Sequence, residues 1–148
     1  MEALGCLGRS ARRQARGMDR LSDDPVISII DDDESVRTGM ASLVRSLGLT
    51  AHTFVGADEF LQSHRLDATS CLILDVQMPG MSGLELQELL VARGCRLPII
   101  FITAHPEEYI RDRALAAGAV CFLRKPFAAQ ELIQCLDSAL EQNDRPTL

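Results

Sequence analysis

Residues that could carry chemistry follow several of the apolar stretches in this chain. Asp31 and Asp32 come directly after the first stretch, Asp75 after another, Thr103 after a third and Lys125 after a fourth. Carboxylate oxygens suit a hard divalent cation such as Mg²⁺. Lysine and a hydroxyl are groups that bind phosphoryl oxygens. These residue types predict a site at which a carboxylate attacks phosphorus while a cation and an ammonium group neutralise the charge.

Asp75 is the candidate for the reacting residue. It follows residues 71–74, Cys-Leu-Ile-Leu, and precedes a Pro-Gly turn. A stretch without a polar face is typical of a parallel strand that is covered on both sides. Asp75 would then lie at the carboxyl end of the strand, the edge of an open α/β sheet where ligands collect. Taken alone, Asp75 could equally be a solvated turn residue, and the other polar residues favour the functional interpretation.

Strands and helices must alternate to bring these residues together. Apolar runs and helical spacing predict strands at 26–30, 50–54, 71–75, 98–102 and 119–123, and helices near 36–47, 57–63, 82–93, 105–117 and 132–140. Five strand–helix units in strict alternation imply an α/β fold, a doubly wound parallel sheet with right-handed crossovers and helices on both faces. We expect one domain, with no helix pair for DNA binding after the fifth helix.

Capping residues predict where several helices begin. Ser82 and Glu85 match a capping box, in which each side chain accepts a hydrogen bond from the other residue's backbone amide. Pro106 suits the first position of the fourth helix. Glu34 and Ser35 are candidates for capping the first helix.

Composition limits the class of protein. The 148 residues carry a net charge of −6, but residues 1–22 hold five arginines against two acids, a net of +3 that leaves −9 for the rest. An acidic folded part argues against a nucleic-acid surface, where a basic face is expected. We therefore predict a disordered basic extension at 1–22, a folded domain at 23–142 and a polar tail at 143–148.

Cysteine content and hydropathy predict the compartment. The five cysteines are odd in number, lack a CxxC pair and lie mostly in apolar runs: Cys6, Cys71, Cys95, Cys121 and Cys135. This pattern predicts small core residues of a reduced compartment and makes a zinc site a poor candidate. No apolar run approaches the roughly 20 residues of a membrane span. We expect a soluble, cytoplasmic protein.

Four motifs together resemble the receiver domain of two-component response regulators, most of all FixJ-type receivers. They are Asp31-Asp32 after the first strand, Asp75 in LILDVQMPGMSGLEL, Thr103-Ala104 in IIFITAH and Lys125-Pro126 in CFLRKPF. The resemblance covers about residues 26–142. It implies a flavodoxin-like (βα)5 fold with a five-stranded parallel sheet in the order 2-1-3-4-5.

The resemblance also implies a role for each matching residue. Asp75 would be the phosphoacceptor, and Mg²⁺ would be bound by Asp32, Asp75 and the backbone carbonyl of Gln77, with Asp31 acting mainly through water. The remaining implied roles are phosphoryl binding by Thr103, Ala104 and Lys125, a switch formed by Thr103 and Phe122, and a cis peptide bond between Lys125 and Pro126. Phenylalanine at 122 lacks the hydroxyl that a tyrosine would offer. His105, two residues beyond Thr103, could border the phosphoryl group or cap a helix.

The predicted function is that of a stand-alone, single-domain response regulator. A histidine kinase or histidine phosphotransfer protein would phosphorylate Asp75, with Mg²⁺-dependent self-phosphorylation and autodephosphorylation at the same residue. The signal would leave through helix 4, strand 5 and helix 5, roughly residues 109–140, to a protein target or a phosphorylation-dependent dimer, without direct DNA or membrane binding. The alternative is a receiver-like interaction module that never uses phosphate. A phosphatase resembling the haloacid dehalogenases is disfavoured, because Gln77 stands where those enzymes need an acid.

Overall fold

The structure, a computed structural model, describes residues 24–144. The predicted extension at 1–22 and the last four residues lie outside the described residues. The strands are β1 (Val26–Ile30), β2 (Thr50–Phe54), β3 (Cys71–Asp75), β4 (Ile99–Thr103) and β5 (Cys121–Arg124). The helices are α1 (Glu34–Ser46), α2 (Ala57–Gln62), α3 (Gly83–Ala92), α4 (Glu108–Ala116) and α5 (Ala129–Asp144), with a short 3-10 turn at Leu66–Ala68.

All five strands are parallel and form one sheet in the order β2-β1-β3-β4-β5. This order confirms the predicted fold. β3 is central and fully buried, as its unbroken apolar sequence predicts. The register pairs Ile30 with Leu74 and Asp75 with Ile102, so the carboxyl ends of β1, β3 and β4 lie side by side.

Buried apolar residues form one core layer on each side of the sheet, because alternate residues of each strand face opposite sides. One layer contains Ile30, Leu72, Leu74, Phe101, Leu86 and Leu90 under α2, α3 and α4. The other contains Ile27, Ile29, Ile73, Ile100, Val44 and Leu132 under α1 and α5. The sheet is therefore clamped from both faces, which holds its strand ends in fixed relative positions.

Three helix ends differ from the sequence prediction. Asp33 caps α1 in place of Glu34 or Ser35, because its carboxylate accepts a hydrogen bond from the Val36 amide. α4 begins only at Glu108, and Pro106 precedes the helix. α5 continues to Asp144, beyond the predicted end of its apolar face. No helix within residues 24–144 is long and apolar enough to cross a membrane.

The prediction that the cysteines are unpaired core residues is wrong for Cys95, Cys121 and Cys135, which are all disulfide-bonded. Cys121 on β5 and Cys135 on α5 form a disulfide, with their Cα atoms 6.0 Å apart. The two residues are 14 positions apart, and the sequence does not show that α5 folds back over β5. Cys71 is free and buried, as predicted.

Candidate functional site

Three acidic side chains converge at the carboxyl edge of the sheet. One oxygen from each of Asp31, Asp32 and Asp75 lies within 4.8 Å of the others. β1 and β3 are neighbours in register, so the residues that follow Ile30 and Leu74 must emerge together. Asp31 and Asp75 are buried, whereas Asp32 is exposed. The cluster is therefore buried at Asp31 and Asp75 and open to solvent at Asp32.

Lys125 supplies the positive charge of this site. Its Nζ lies 2.9 Å from Oδ2 of Asp31 and 3.4 Å from Oδ2 of Asp75. The Lys125 amide donates to the Thr103 carbonyl at 2.8 Å, which continues the β4–β5 ladder and fixes the start of the side chain. Burial would lower the pKa of Lys125, but the close contact with the Asp31 carboxylate and the charge of Asp75 outweigh burial and raise the pKa overall. Lys125 is therefore a cation at neutral pH.

The ionisation of Asp75 is perturbed by its surroundings. Burial, followed by repulsion from Asp31, raises the pKa of Asp75 to about 6. Lys125 and a hydrogen bond from the Gln77 amide to Oδ1, at 3.3 Å, oppose this rise. The Lys125 ammonium group therefore does not fully offset the rise in the pKa of Asp75 that burial and Asp31 cause.

The donor chemistry fits a hard divalent cation. Oδ2 of Asp31 is buried and accepts no hydrogen bond of normal geometry, although it pairs with Lys125 by charge. Its Oδ1 accepts from the Asp33 amide at 2.8 Å, which fixes the carboxylate. Mg²⁺ is bound through one or two carboxylates plus waters and phosphate oxygens, so Asp31, Asp32 and Asp75 would hold it.

The other predicted site residues lie on β4 and β5 or directly after these strands. Thr103 is buried at the end of β4, and its Oγ1 accepts from the His105 amide at 3.1 Å. Ala104 is exposed beside it. The ring of Phe122 is half-buried and lies 6.3 Å from that of Phe101. The Lys125–Pro126 peptide bond is cis.

Sequence reasoning missed two residues that build the site. The Arg37 guanidinium donates to the Asp31 carbonyl at 2.8 Å and so holds the β1–α1 turn from the side of α1. Gly83 lies against the end of β3, where a Cβ atom would come within 2.3 Å of the Asp75 carbonyl oxygen. Gly83 also donates to the Val76 carbonyl at 2.9 Å. No local pattern marks either contact, because both join residues brought together only by the fold.

Comparison with known proteins places this geometry in a family. Residues 27–137 match the family model described as response regulator receiver domain. Nodulation protein W of Bradyrhizobium diazoefficiens is 42% identical over 136 residues, which are 92% of this chain and 60% of that protein. The chain thus spans about 60% of the length of such curated relatives.

Solved structures agree with this assignment. The response regulator StyR is 46% identical with a TM-score of 0.76, over 81% of this chain and 61% of that one. FixJ-N is 31% identical with a TM-score of 0.73, over 84% of this chain and 98% of that one. With the same fold, and with the acidic cluster and lysine at the sheet edge, the chain belongs to the response regulator receiver domain family.

Proposed function

We propose that this chain accepts a phosphoryl group on Asp75 from a histidine kinase or histidine phosphotransfer protein, in a Mg²⁺-dependent reaction in the cytoplasm. The observation that carries the proposal is the position of the Asp75 carboxylate. It is buried at the end of the central strand, grouped with two other carboxylates and 3.4 Å from the only lysine of the chain.

Each residue contributes to an in-line transfer. An Asp75 carboxylate oxygen forms the new O–P bond as the N–P bond of the phosphohistidine breaks, and the electron pair returns to the imidazole nitrogen. The ammonium group of Lys125 can stay in contact with the phosphoryl oxygens during transfer, because it is compact and lies at the end of a flexible side chain. Thr103 would donate its hydroxyl to the same group. Bound Mg²⁺ would supply charge neutralisation for the carboxylates and the phosphoryl oxygens.

Labelling with a small phosphodonor tests the proposal. With acetyl phosphate and Mg²⁺, the intact mass of the wild-type protein should rise by one phosphoryl group, and chelator should prevent the rise. Asp75→Asn should remain unlabelled, because an amide oxygen is a far weaker nucleophile. Labelling of Asp75→Asn to the wild-type level would contradict the proposal. No label on the wild type from any donor or kinase would support the phosphate-independent interaction module.

Removing Lys125 should uncouple phosphorylation from conformational change. Lys125→Ala should keep its response to Mg²⁺, since the three carboxylates remain, but lose the contact to the phosphoryl group. We expect beryllofluoride, a phosphoryl mimic, to shift the NMR signals of α4 in the wild type and far less in Lys125→Ala. Lys125→Arg is the matched control, because it keeps the charge. Wild-type shifts in Lys125→Ala would refute the role.

The signal would leave through the face formed by α4, β5 and α5, which we call the output face. Tyr109 on α4 is 61% exposed, and the Arg113 guanidinium lies 6.0 Å from the centre of its ring. Arg113 also pairs with Glu88 of α3. An exposed aromatic side chain with a cation beside it suits a protein interface. We propose a protein target or a phosphorylation-dependent dimer as the partner.

A further inference from the structure

The disulfide joins two elements of the output face, β5 and α5, and neither cysteine is among the residues assigned to phosphoryl transfer. Cys121 lies on β5, four residues before Lys125, and Cys135 lies on α5. Among residues 24–144, β5 is an edge strand of the sheet and pairs only with β4. The apolar residues Leu132, Leu136 and Ala139 already hold α5 on the sheet. The disulfide therefore adds a covalent crosslink between β5 and α5, which already pack together through apolar contacts.

The two cysteine residues differ in solvent exposure. Cys121 is half-buried and can meet a small reagent, whereas Cys135 is 6% exposed and lies on the side of α5 that packs on the sheet. The free Cys71 in the same core layer is fully buried, and burial raises the pKa of its thiol to about 12. Thiolates are the reactive species in disulfide exchange, so Cys71 is inert in the folded protein. Cys121 is thus the entry point and Cys135 the resolving residue.

We propose that Cys121 and Cys135 are a reversible dithiol–disulfide couple, a modification site for low-molecular-weight disulfides such as glutathione disulfide. The Cys121 thiolate attacks one sulfur of glutathione disulfide, forming a mixed disulfide and releasing one glutathione. The Cys135 thiolate then attacks the Cys121 sulfur and releases the second glutathione. Two electrons pass to glutathione disulfide, and the two protons lost by the protein thiols end on the two released glutathione thiols by way of solvent. Excess glutathione reverses both steps.

The oxidised form should restrain the output face. The bond joins residues that are 14 positions apart, and the loop that it closes includes Lys125, Pro126 and the start of α5. A crosslink limits the open states from which hydrogen exchange occurs. We expect the α5 amides to exchange at least about tenfold more slowly in the oxidised than in the reduced protein. Such a restraint would let redox state act on the surface through which the phosphorylation signal leaves.

Equilibration of the full chain in glutathione buffers of different ratio tests the couple. After acid quenching and alkylation, trypsin should release fragments 114–124 and 125–148 joined by a disulfide in oxidising buffer and separate in reducing buffer. Cys71→Ala, which removes a thiol from the same core layer, should give the same linked fragments. Cys135→Ala should instead retain one glutathionyl group on Cys121.

Two results would overturn the couple. The first is the absence of linked fragments at every glutathione ratio, and the second is a mixed disulfide on Cys121 that persists in the wild type. Equal exchange rates of the α5 amides in both redox forms would overturn the restraint. The couple does not depend on phosphoryl transfer, because Asp75→Asn should form the same link. Failure of the dithiol–disulfide couple would therefore leave the proposed phosphoryl transfer intact. Failure of phosphoryl transfer would likewise leave the couple intact.

Discussion

Millimolar Mg²⁺ should raise the melting temperature of the wild-type protein and leave that of Asp32→Asn nearly unchanged. Two unit charges about 5 Å apart repel by roughly 3 kcal/mol at an effective dielectric of 20. Lys125 pairs with Asp31 and Asp75, so the cluster keeps an excess of negative charge. A cation at about 100 times its Kd stabilises the native state by about 2.7 kcal/mol. Asp32→Asn loses a ligand and with it most of this gain.

In chelator, without Mg²⁺, the melting temperature of Asp32→Asn should lie a few degrees above that of the wild type. Because Asp32 is exposed, solvent screens its repulsion, and the gain should be about 1 kcal/mol or less. Asp33→Asn is the matched control, since it removes a neighbouring charge, lies outside the cluster and keeps an N-cap residue of equal quality. Differential scanning calorimetry with and without chelator measures both effects. A wild type indifferent to Mg²⁺ would mean that the carboxylates do not act together.

Gly83→Ala should be among the most damaging single changes outside the charged cluster. The added Cβ atom would lie 2.3 Å from the Asp75 carbonyl oxygen and 3.0 Å from the Val76 Cα. Both are backbone atoms, so either α3 or the end of β3 must move. We expect the free energy of unfolding to fall by about 2–4 kcal/mol. The displaced Asp75 should also bind Mg²⁺ more weakly.

Gly39→Ala provides the comparison within the same protein. Gly39 lies inside α1, is exposed, and has nothing within 4 Å of the added atom. Alanine is favoured over glycine in a helix by up to about 1 kcal/mol, so this variant should be more stable than the wild type. Urea titration gives both free energies. Equal effects of the two substitutions would show that α3 does not approach β3 as closely as described.

The five parallel strands were predictable because each strand is a distinct apolar run followed by a helical pattern, whereas their order was expected only from the resemblance to receiver domains. The pairing of Ile30 with Leu74 follows from that topology and carries Asp31 to Asp75. The residue types at the strand ends then predicted the acidic cluster with Lys125. These features depend on local periodicity and on the geometry of parallel sheets, which sequence patterns express directly.

What the sequence did not reveal depends on contacts between distant elements. The Cys121–Cys135 pair requires the exact angle at which α5 crosses β5, and two lone cysteines in apolar runs look like core residues. α4 begins after the position that Pro106 predicts, because the proline rule does not account for the turn in which Thr103 accepts from the His105 amide. The predicted capping box of Ser82 and Glu85 does exist, but the approach of Gly83 to Asp75 is a tertiary contact that this motif does not indicate.

The most direct test of the central claim is chemical location of the phosphoryl group. Wild-type protein labelled in Mg²⁺ and then reduced with borohydride should yield homoserine at position 75 and nowhere else, because borohydride reduces the acyl phosphate of an aspartate and leaves free carboxylates untouched. Homoserine at position 31 or 32 in place of 75, or a stable phosphate that resists borohydride, would contradict the account.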